Sequence, residues 1–242
     1  MLSRILEFLF RTDVLTTMKQ VGELFFGRRP WPHANLEFWF RLLVGKLSRT
    51  FRWHLFYATE PEHVLGHMFK QTLTATTLVS LELQHGNAGL TMEEAHLIVA
   101  TTSFHDISEA EAQDFPRTMK EDPALGPLIK EIEAKKLDDV LSFLPPETQA
   151  FMKDCLARTE DKSTRVGRLF DAAEWLGYLI FAFEEVTHGG NRAFLDVIAN
   201  SMLAINKRGY ASEFVAVQMI LDPHAEKIRK MFEANDPNFP KP

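Results

Sequence analysis

The sequence has little of several features that define common protein classes. It contains one cysteine, Cys155, among 242 residues. A single cysteine forms no disulfide within the chain and builds no cysteine-rich zinc site, so we expect a reducing, cytoplasmic compartment and metal ligands of the imidazole and carboxylate type. Charged residues interrupt the apolar N-terminus at Arg4, Glu7, Arg11 and Asp13. We therefore expect neither a signal peptide nor a membrane span.

Cationic stripes and β-strand patterns are also missing. The net charge is −6 and no stretch concentrates lysine and arginine, which argues against a nucleic-acid polymer as partner. There is no alternation of apolar and polar residues, no glycine-rich nucleotide loop and no internal repeat. Apolar residues make up 45% of the chain and recur at intervals of three to four. This spacing is typical of amphipathic helices and predicts an all-α fold.

The chain is predicted to have three parts. Residues 1–34 form a helical extension, in which 27–32 is a proline-containing linker. Residues 35–234 form the main domain and 235–242 form a loose tail. We expect the phenylalanine-rich face of the extension to pack on the main domain or on a second subunit. A helix lying in a membrane interface is the weaker interpretation, because the polar face carries charges of both signs.

Apolar spacing and capping signals predict eight helices in the main domain. They extend over about 35–47, 60–83, 91–105, 123–136, 145–158, 163–186, 194–206 and 212–231. The stretch 108–123 is polar and contains proline, so we expect a loop that projects Glu109 and Asp114 into a cavity.

Metal-binding and proton-transfer groups concentrate around His105 and Asp106. Such dipeptides also occur at ordinary helix ends, so a metal site needs further ligands from elsewhere. His67, on the preceding helix, is one candidate, and an acidic residue of the long helix, Asp171 or Glu174, is the other. Two imidazoles and two carboxylates suit a divalent transition metal that activates water.

A basic and aromatic pair, Arg52 and Trp53, follows the first predicted helix of the main domain. The arginine suits a bound phosphate, and a structural stack of the guanidinium on the indole is an equal alternative.

The order and spacing of these residues resemble the HD-domain phosphohydrolases, and most of all the bacterial 5′-deoxynucleotidase group. The resemblance covers roughly residues 35–194. It is carried by Arg52-Trp53, Glu62, His67, His105-Asp106, Glu109, Asp114, Pro116 and the Phe183-Glu184-Glu185 end of the long helix. It implies an HD-domain helical bundle, a homodimer, and hydrolysis of deoxynucleoside monophosphates to deoxynucleoside and phosphate.

The resemblance also implies a role for each site residue. The implied ligands of a divalent metal (Mn, Co, Zn, Fe or Ni) are His67, His105, Asp106 and Glu174. Glu109 would orient or deprotonate the attacking water and then assist the leaving oxygen. Arg52 would hold the substrate phosphate, Trp53 would disfavour a 2′-hydroxyl, and Asp114 would contact the deoxyribose.

Two positions depart from the family pattern. Glu174 stands where relatives carry the last aspartate ligand, and Asp171 one turn earlier is the substitute that we also consider. Gly66 replaces an acidic residue that often precedes the ligand His67, and His63 is expected to pack beside the site rather than to bind metal. Two alternative functions therefore stay open. One is hydrolysis of deoxynucleoside triphosphates, which depends on room for extra phosphates near Arg52 and Lys120, and the other is a catalytically silent, nucleotide-binding regulator.

Overall fold

The computed structural model describes residues 37–39, 41–53 and 56–235. The predictions for the extension 1–34 and for most of the tail, 236–242, lie outside these residues. The chain divides into two compact units, 1–42 and 43–242. In the first unit, Arg41 forms an ion pair with Glu37 at 2.8 Å.

Ten α-helices form the described part of the second unit, which contains no strand. They are α1 (Val64–His85), α2 (Met92–Thr102), α3 (Glu109–Ala112), α4 (Arg117–Lys120), α5 (Leu125–Leu141), α6 (Pro146–Glu160), α7 (Arg165–Thr187), α8 (Leu195–Lys207), α9 (Tyr210–Glu213) and α10 (Val215–Asn235). A π-helix covers Arg41–Lys46 and a 3₁₀ turn covers Arg192–Phe194. The predicted all-α class is confirmed.

Helix α7 lies at the centre of the bundle. It packs against α1, α2, α6 and α8, and it buries residues on several faces, among them Leu169 and Leu176. The hydroxyl of Thr164 accepts from the backbone N–H of Gly167 and caps the start of the helix. Arg165 then donates to both carboxylate oxygens of Glu94, at 2.8 and 2.7 Å, in the capping box of α2. The starts of α2 and α7 are thereby held together.

The structure differs from the sequence prediction at three helix boundaries. Helix α1 begins at Val64 because an isolated antiparallel bridge pairs Phe51 with His63 and keeps His63 extended. The predicted loop 108–123 contains the two short helices α3 and α4, so Glu109 lies on a helix. The predicted helix 212–231 is divided at Phe214, which adopts an extended conformation between α9 and α10. None of the described helices is long and apolar enough to cross a membrane.

Candidate metal centre

Three side chains from two neighbouring parts of the bundle meet at one point. His67 lies in the first turn of α1, and His105 and Asp106 lie in the turn that follows α2. One ligand atom from each of them lies within 4.8 Å of the other two. Oδ2 of Asp106 is 3.2 Å from Nε2 of His105 and 3.6 Å from Nε2 of His67. Among the described residues, these three form the candidate metal-binding group.

The donor atoms fit a bound metal. The Nε2 atoms of His67 and His105 are buried and have no hydrogen-bond partner in the described part of the chain. Buried polar atoms are normally satisfied, so two orphaned imidazole nitrogens beside a carboxylate call for a ligand. Nδ1 of His105 donates to the carbonyl of Thr102 at 3.0 Å, in the tautomer that leaves Nε2 free to bind a cation. Such an outer hydrogen bond typically orients a metal-binding histidine.

The two candidate carboxylates of α7 have different surroundings. Oε1 of Glu174 lies 3.2 Å from Nε2 of His105, on the side of the metal-binding group. Asp171 instead accepts a hydrogen bond from the Tyr210 hydroxyl at 2.5 Å and pairs with Arg208. Asp171 is thus committed to a structural contact with α9, whereas Glu174 is close to the metal-binding group without being one of its three members.

Burial and neighbouring charges shift the pKa values of His67, His105 and Asp106 in different directions. Burial and the nearby Arg52 hold the pKa of His67 well below its usual value. Burial also lowers the pKa of His105, but Asp106 and Glu174 outweigh it and raise that pKa well above the usual value. Burial raises the pKa of Asp106, but His105 and Arg52 outweigh it and hold the carboxyl ionised. The group therefore combines an anionic carboxylate and a neutral imidazole at His67 with an imidazolium at His105, whose proton a bound cation would displace.

Arg52 is buried against this group. Its Nη1 donates to Oδ2 of Asp106 at 2.8 Å, and its Nε lies 3.6 Å from Oε2 of Glu62. The backbone N–H of Arg52 donates to the carbonyl of Glu62 at 2.9 Å, beside the Phe51–His63 bridge. Five N–H donors belong to each guanidinium, so donors remain for a phosphate after the contact with Asp106.

Trp53 adopts an unusual backbone conformation that its side chain stabilises. Its φ is 63°, in the left-handed region that non-glycine residues rarely occupy. The indole N–H donates to Glu62 at 2.9 Å, and the ring stacks on Phe181 at 5.0 Å between centroids. Contacts with Phe194 and Tyr178 complete an aromatic cluster. Strain of this kind persists where the surroundings fix it, commonly at functional sites.

Glu109 lies in the first turn of α3 and is buried, with 2% of its surface exposed to solvent. Its Oε1 lies 3.3 Å from Nζ of Lys120, and its Oε2 has no hydrogen-bond partner among the described residues. Burial, followed by the charge of Asp106, raises the pKa of Glu109 well above its usual value. A cation bound beside Asp106 would oppose that rise. The carboxylate is therefore suited to exchange a proton with a molecule in the site.

A cavity of about 930 Å³ opens onto these groups. Arg52, Trp53, Asp106, Glu109, Asp114 and Glu174 all line it. His67 and His105 are not among the lining residues, but they lie within 3.6 and 3.2 Å of Asp106 and Glu174, which are. The structure thus brings the predicted site residues together. His63, which we expected to pack rather than bind metal, lies against the ring of Phe51 at 4.5 Å.

Comparison with known families gives one decisive result. A family model described as 5′-deoxynucleotidase YfbR-like matches residues 39–223, about three quarters of the chain. The chain belongs to the YfbR-like family. Membership makes it a phosphohydrolase of the HD-domain class. No curated protein matches the sequence.

A solved structure supports the fold of this YfbR-like chain. An HD-domain phosphohydrolase from Listeria innocua is similar, with a TM-score of 0.66 and 21% identity, over 83% of this chain and 95% of that one. A conserved hypothetical protein from Pyrococcus furiosus also matches, at 25% identity and a TM-score of 0.49, over 69% of this chain and 94% of that one. The Listeria protein supports the predicted HD-domain helical bundle.

The sequence prediction assigned no role to two residues of the YfbR-like site. Tyr178 lies under the guanidinium of Arg52, 5.8 Å from its Cζ, and beside His67 with 6.3 Å between rings. Its position four residues after Glu174 places it on the same face of α7, which is the signal that sequence reasoning had available. Glu62 belonged to the recognised pattern without a role, and the structure shows that it anchors both Arg52 and Trp53.

Proposed function

We propose that the protein is a metal-dependent 5′-deoxynucleotidase, which hydrolyses a deoxynucleoside monophosphate to deoxynucleoside and orthophosphate. One observation carries the proposal: two orphaned imidazole nitrogens lie beside an ionised carboxylate and a buried arginine, and these last two line a large cavity. Cation-binding groups and a phosphate-binding group side by side are what hydrolysis of a phosphate ester requires. Family membership supports the same conclusion.

His67, His105 and Asp106 would hold the metal, with Glu174 as the fourth ligand. A divalent metal, when bound, supplies a Lewis acid that lowers the pKa of water and offsets charge on the phosphoryl oxygens. The donor set of nitrogen and oxygen atoms suits Mn, Co, Zn, Fe or Ni. Support for Glu174 is its 3.2 Å approach to His105.

The remaining steps belong to the protein side chains. Arg52 would bind a phosphate oxygen through the donors that Asp106 does not use. Glu109 would take a proton from the attacking water as the new P–O bond forms. It would return that proton to the 5′-oxygen as the P–O bond to the sugar breaks. Trp53 and Asp114, which line the cavity, would contact the deoxyribose.

The surroundings of Lys120 favour a monophosphate over a triphosphate at this point of the cavity. Nζ of Lys120 lies 3.3 Å from Glu109 and 3.0 Å from Glu133. A lysine engaged by two carboxylates has little charge to offer to an extra phosphate. Hydrolysis of a triphosphate is therefore the alternative reaction, and the phosphate product that is released distinguishes the two.

The test is an assay of the purified protein with Mn²⁺, Co²⁺, Zn²⁺ or Mg²⁺ over ribo- and deoxynucleoside mono- and triphosphates. The proposal expects orthophosphate from deoxynucleoside monophosphates, with ribonucleotides poorer substrates and with the preference reduced in Trp53→Ala. Release of tripolyphosphate from triphosphates would select the alternative reaction. Nucleotide binding without turnover under every metal would contradict the enzyme function and favour the regulator.

A further inference from the structure

The cavity extends well beyond the residues that the proposed reaction uses. From the metal centre it reaches helix α8, where Asn200, Ser201 and Ala204 form its wall. Its volume of about 930 Å³ is large for a small-molecule site, since such pockets span roughly 300–1,000 Å³. The far part of the cavity is thus available to a portion of the ligand other than the cleaved phosphate.

Cationic side chains surround one aromatic ring in this far part. The guanidinium of Arg117 lies 3.9 Å from the centre of the Trp175 ring, and that of Arg208 lies 5.3 Å from the same centre. Lys207, at the end of α8, lines the cavity beside Arg208. Because the guanidinium groups lie over its indole, Trp175 is not free to stack on a nucleobase. The ring instead positions the two arginines.

After their contacts within the protein, Arg117, Lys207 and Arg208 keep N–H donors and one net positive charge with which to bind a ligand. Arg117 donates from Nε to Glu121 at 2.6 Å, and Arg208 pairs with Asp171. Each guanidinium has five N–H donors, so both retain donors after these contacts. No ion pair of Lys207 occurs in the part of the chain that the structure describes. The group of three cations and two carboxylates therefore attracts an anion.

We propose that Arg117, Lys207 and Arg208 form a second anion subsite, which binds a second phosphate group on the same nucleotide. The inference rests on the proposed function, because Arg52 and the metal centre already hold the phosphate that is cleaved. The aromatic series from Trp53 through Tyr178 to Trp175 separates the two anion sites, with ring centres 5.9 and 5.7 Å apart. The subsite thus extends the substrate range from 5′-monophosphates to nucleotides that carry a further phosphate in addition to the cleaved one.

The test compares two substrates in two double variants. We would measure kcat/KM for deoxyadenosine 3′,5′-bisphosphate and for deoxyadenosine 5′-monophosphate with Mn²⁺. In Arg117→Ala/Lys207→Ala the ratio of the two values should fall about tenfold, which corresponds to about 1.4 kcal/mol, because two exposed cations that contact the second phosphate are removed. In the control Lys130→Ala/Lys135→Ala, which removes the same charge from exposed positions of α5, the ratio should stay at the wild-type value.

Further measurements identify which second phosphate the subsite binds. They also distinguish failure of the subsite from failure of the proposed function. A fall in the ratio for deoxyadenosine 5′-diphosphate alone would contradict the subsite, because two phosphates joined by one oxygen are too close together to occupy sites on either side of the aromatic series. An unchanged ratio for both ligands would overturn it. Titration calorimetry of the bisphosphate in the presence of a chelator detects the subsite without turnover. If the wild-type protein hydrolyses no nucleotide, the proposed function fails, and about tenfold weaker calorimetric binding in the double variant would still support the subsite.

Discussion

Nε2 of His105 lies 3.2 Å from Oε1 of Glu174, although an aspartate is what the family pattern leads one to expect at this position of the long helix. The longer side chain still brings its carboxylate up to His105 of the candidate metal-binding group. Asp171, three residues earlier, contacts Tyr210 and Arg208 instead. The two carboxylates of one helix therefore differ in role, one facing the cavity and one holding α9 to α7.

Substitution of these two carboxylates should have opposite effects. Glu174→Ala should reduce bound metal and phosphatase activity while leaving the thermal stability of the metal-free protein near that of wild type. Asp171→Asn should retain metal and lower the stability by about 1–3 kcal/mol, because it weakens hydrogen bonds to a charged, buried acceptor. Metal content by elemental analysis and unfolding by circular dichroism measure both effects. Metal loss in Asp171→Asn with retention in Glu174→Ala would reverse the assignment.

Glu109→Gln should separate metal binding from turnover. The amide has the size of the carboxylate but transfers no proton, so we expect wild-type metal content and a kcat lowered by about 10²–10⁴-fold. Glu111→Gln, two residues later on the same short helix, is the matched control and should keep its rate. Full activity in Glu109→Gln would show that another group handles the proton.

Most of the fold was predictable because helix signals are local. Thr91 with Glu94 marks one helix start in the sequence and Ser163 or Thr164 marks another, and the structure shows caps at Thr91 and Thr164. The start of α1 was misplaced because a pairing between Phe51 and a residue twelve positions later overrides the local signal.

The site was predictable only in part, for a similar reason. His67, His105 and Asp106 belong to a recognisable order along the chain, and the structure brings them together. Tyr178 belongs to no such pattern. Its importance arises from contacts with Arg52 and His67, and both of these residues lie far from Tyr178 in the sequence. Contacts between distant segments depend on how helices pack, and helix spacing alone does not specify them.

The loop between Arg52 and α1 should make stability depend on pH through Glu185. Burial opposes ionisation of Glu185, but backbone N–H groups of Thr59 and Glu60 donate to it at 2.7 and 3.2 Å, and its pKa is lowered. A carboxyl with a lowered folded-state pKa stabilises the fold at pH values above its unfolded-state pKa. That contribution is lost as the pH falls through the folded-state pKa.

Glu185→Gln should therefore be less stable than wild type near neutral pH, by about 1–3 kcal/mol, and the two should converge in acid. Urea unfolding between pH 3 and 7 measures the difference. Glu184→Gln, at the exposed neighbouring position, should follow the wild-type curve across the range. A constant difference between Glu185→Gln and wild type at every pH would show that ionisation of Glu185 plays no part.

The central claim is that His105 belongs to a metal centre that hydrolyses a deoxynucleoside monophosphate. The most direct test measures metal content and orthophosphate release together, in wild type, in His105→Ala and in the exposed control His96→Ala. The account predicts that wild type and His96→Ala bind metal and release orthophosphate, whereas His105→Ala loses both. Metal binding and orthophosphate release at wild-type levels in His105→Ala would contradict it.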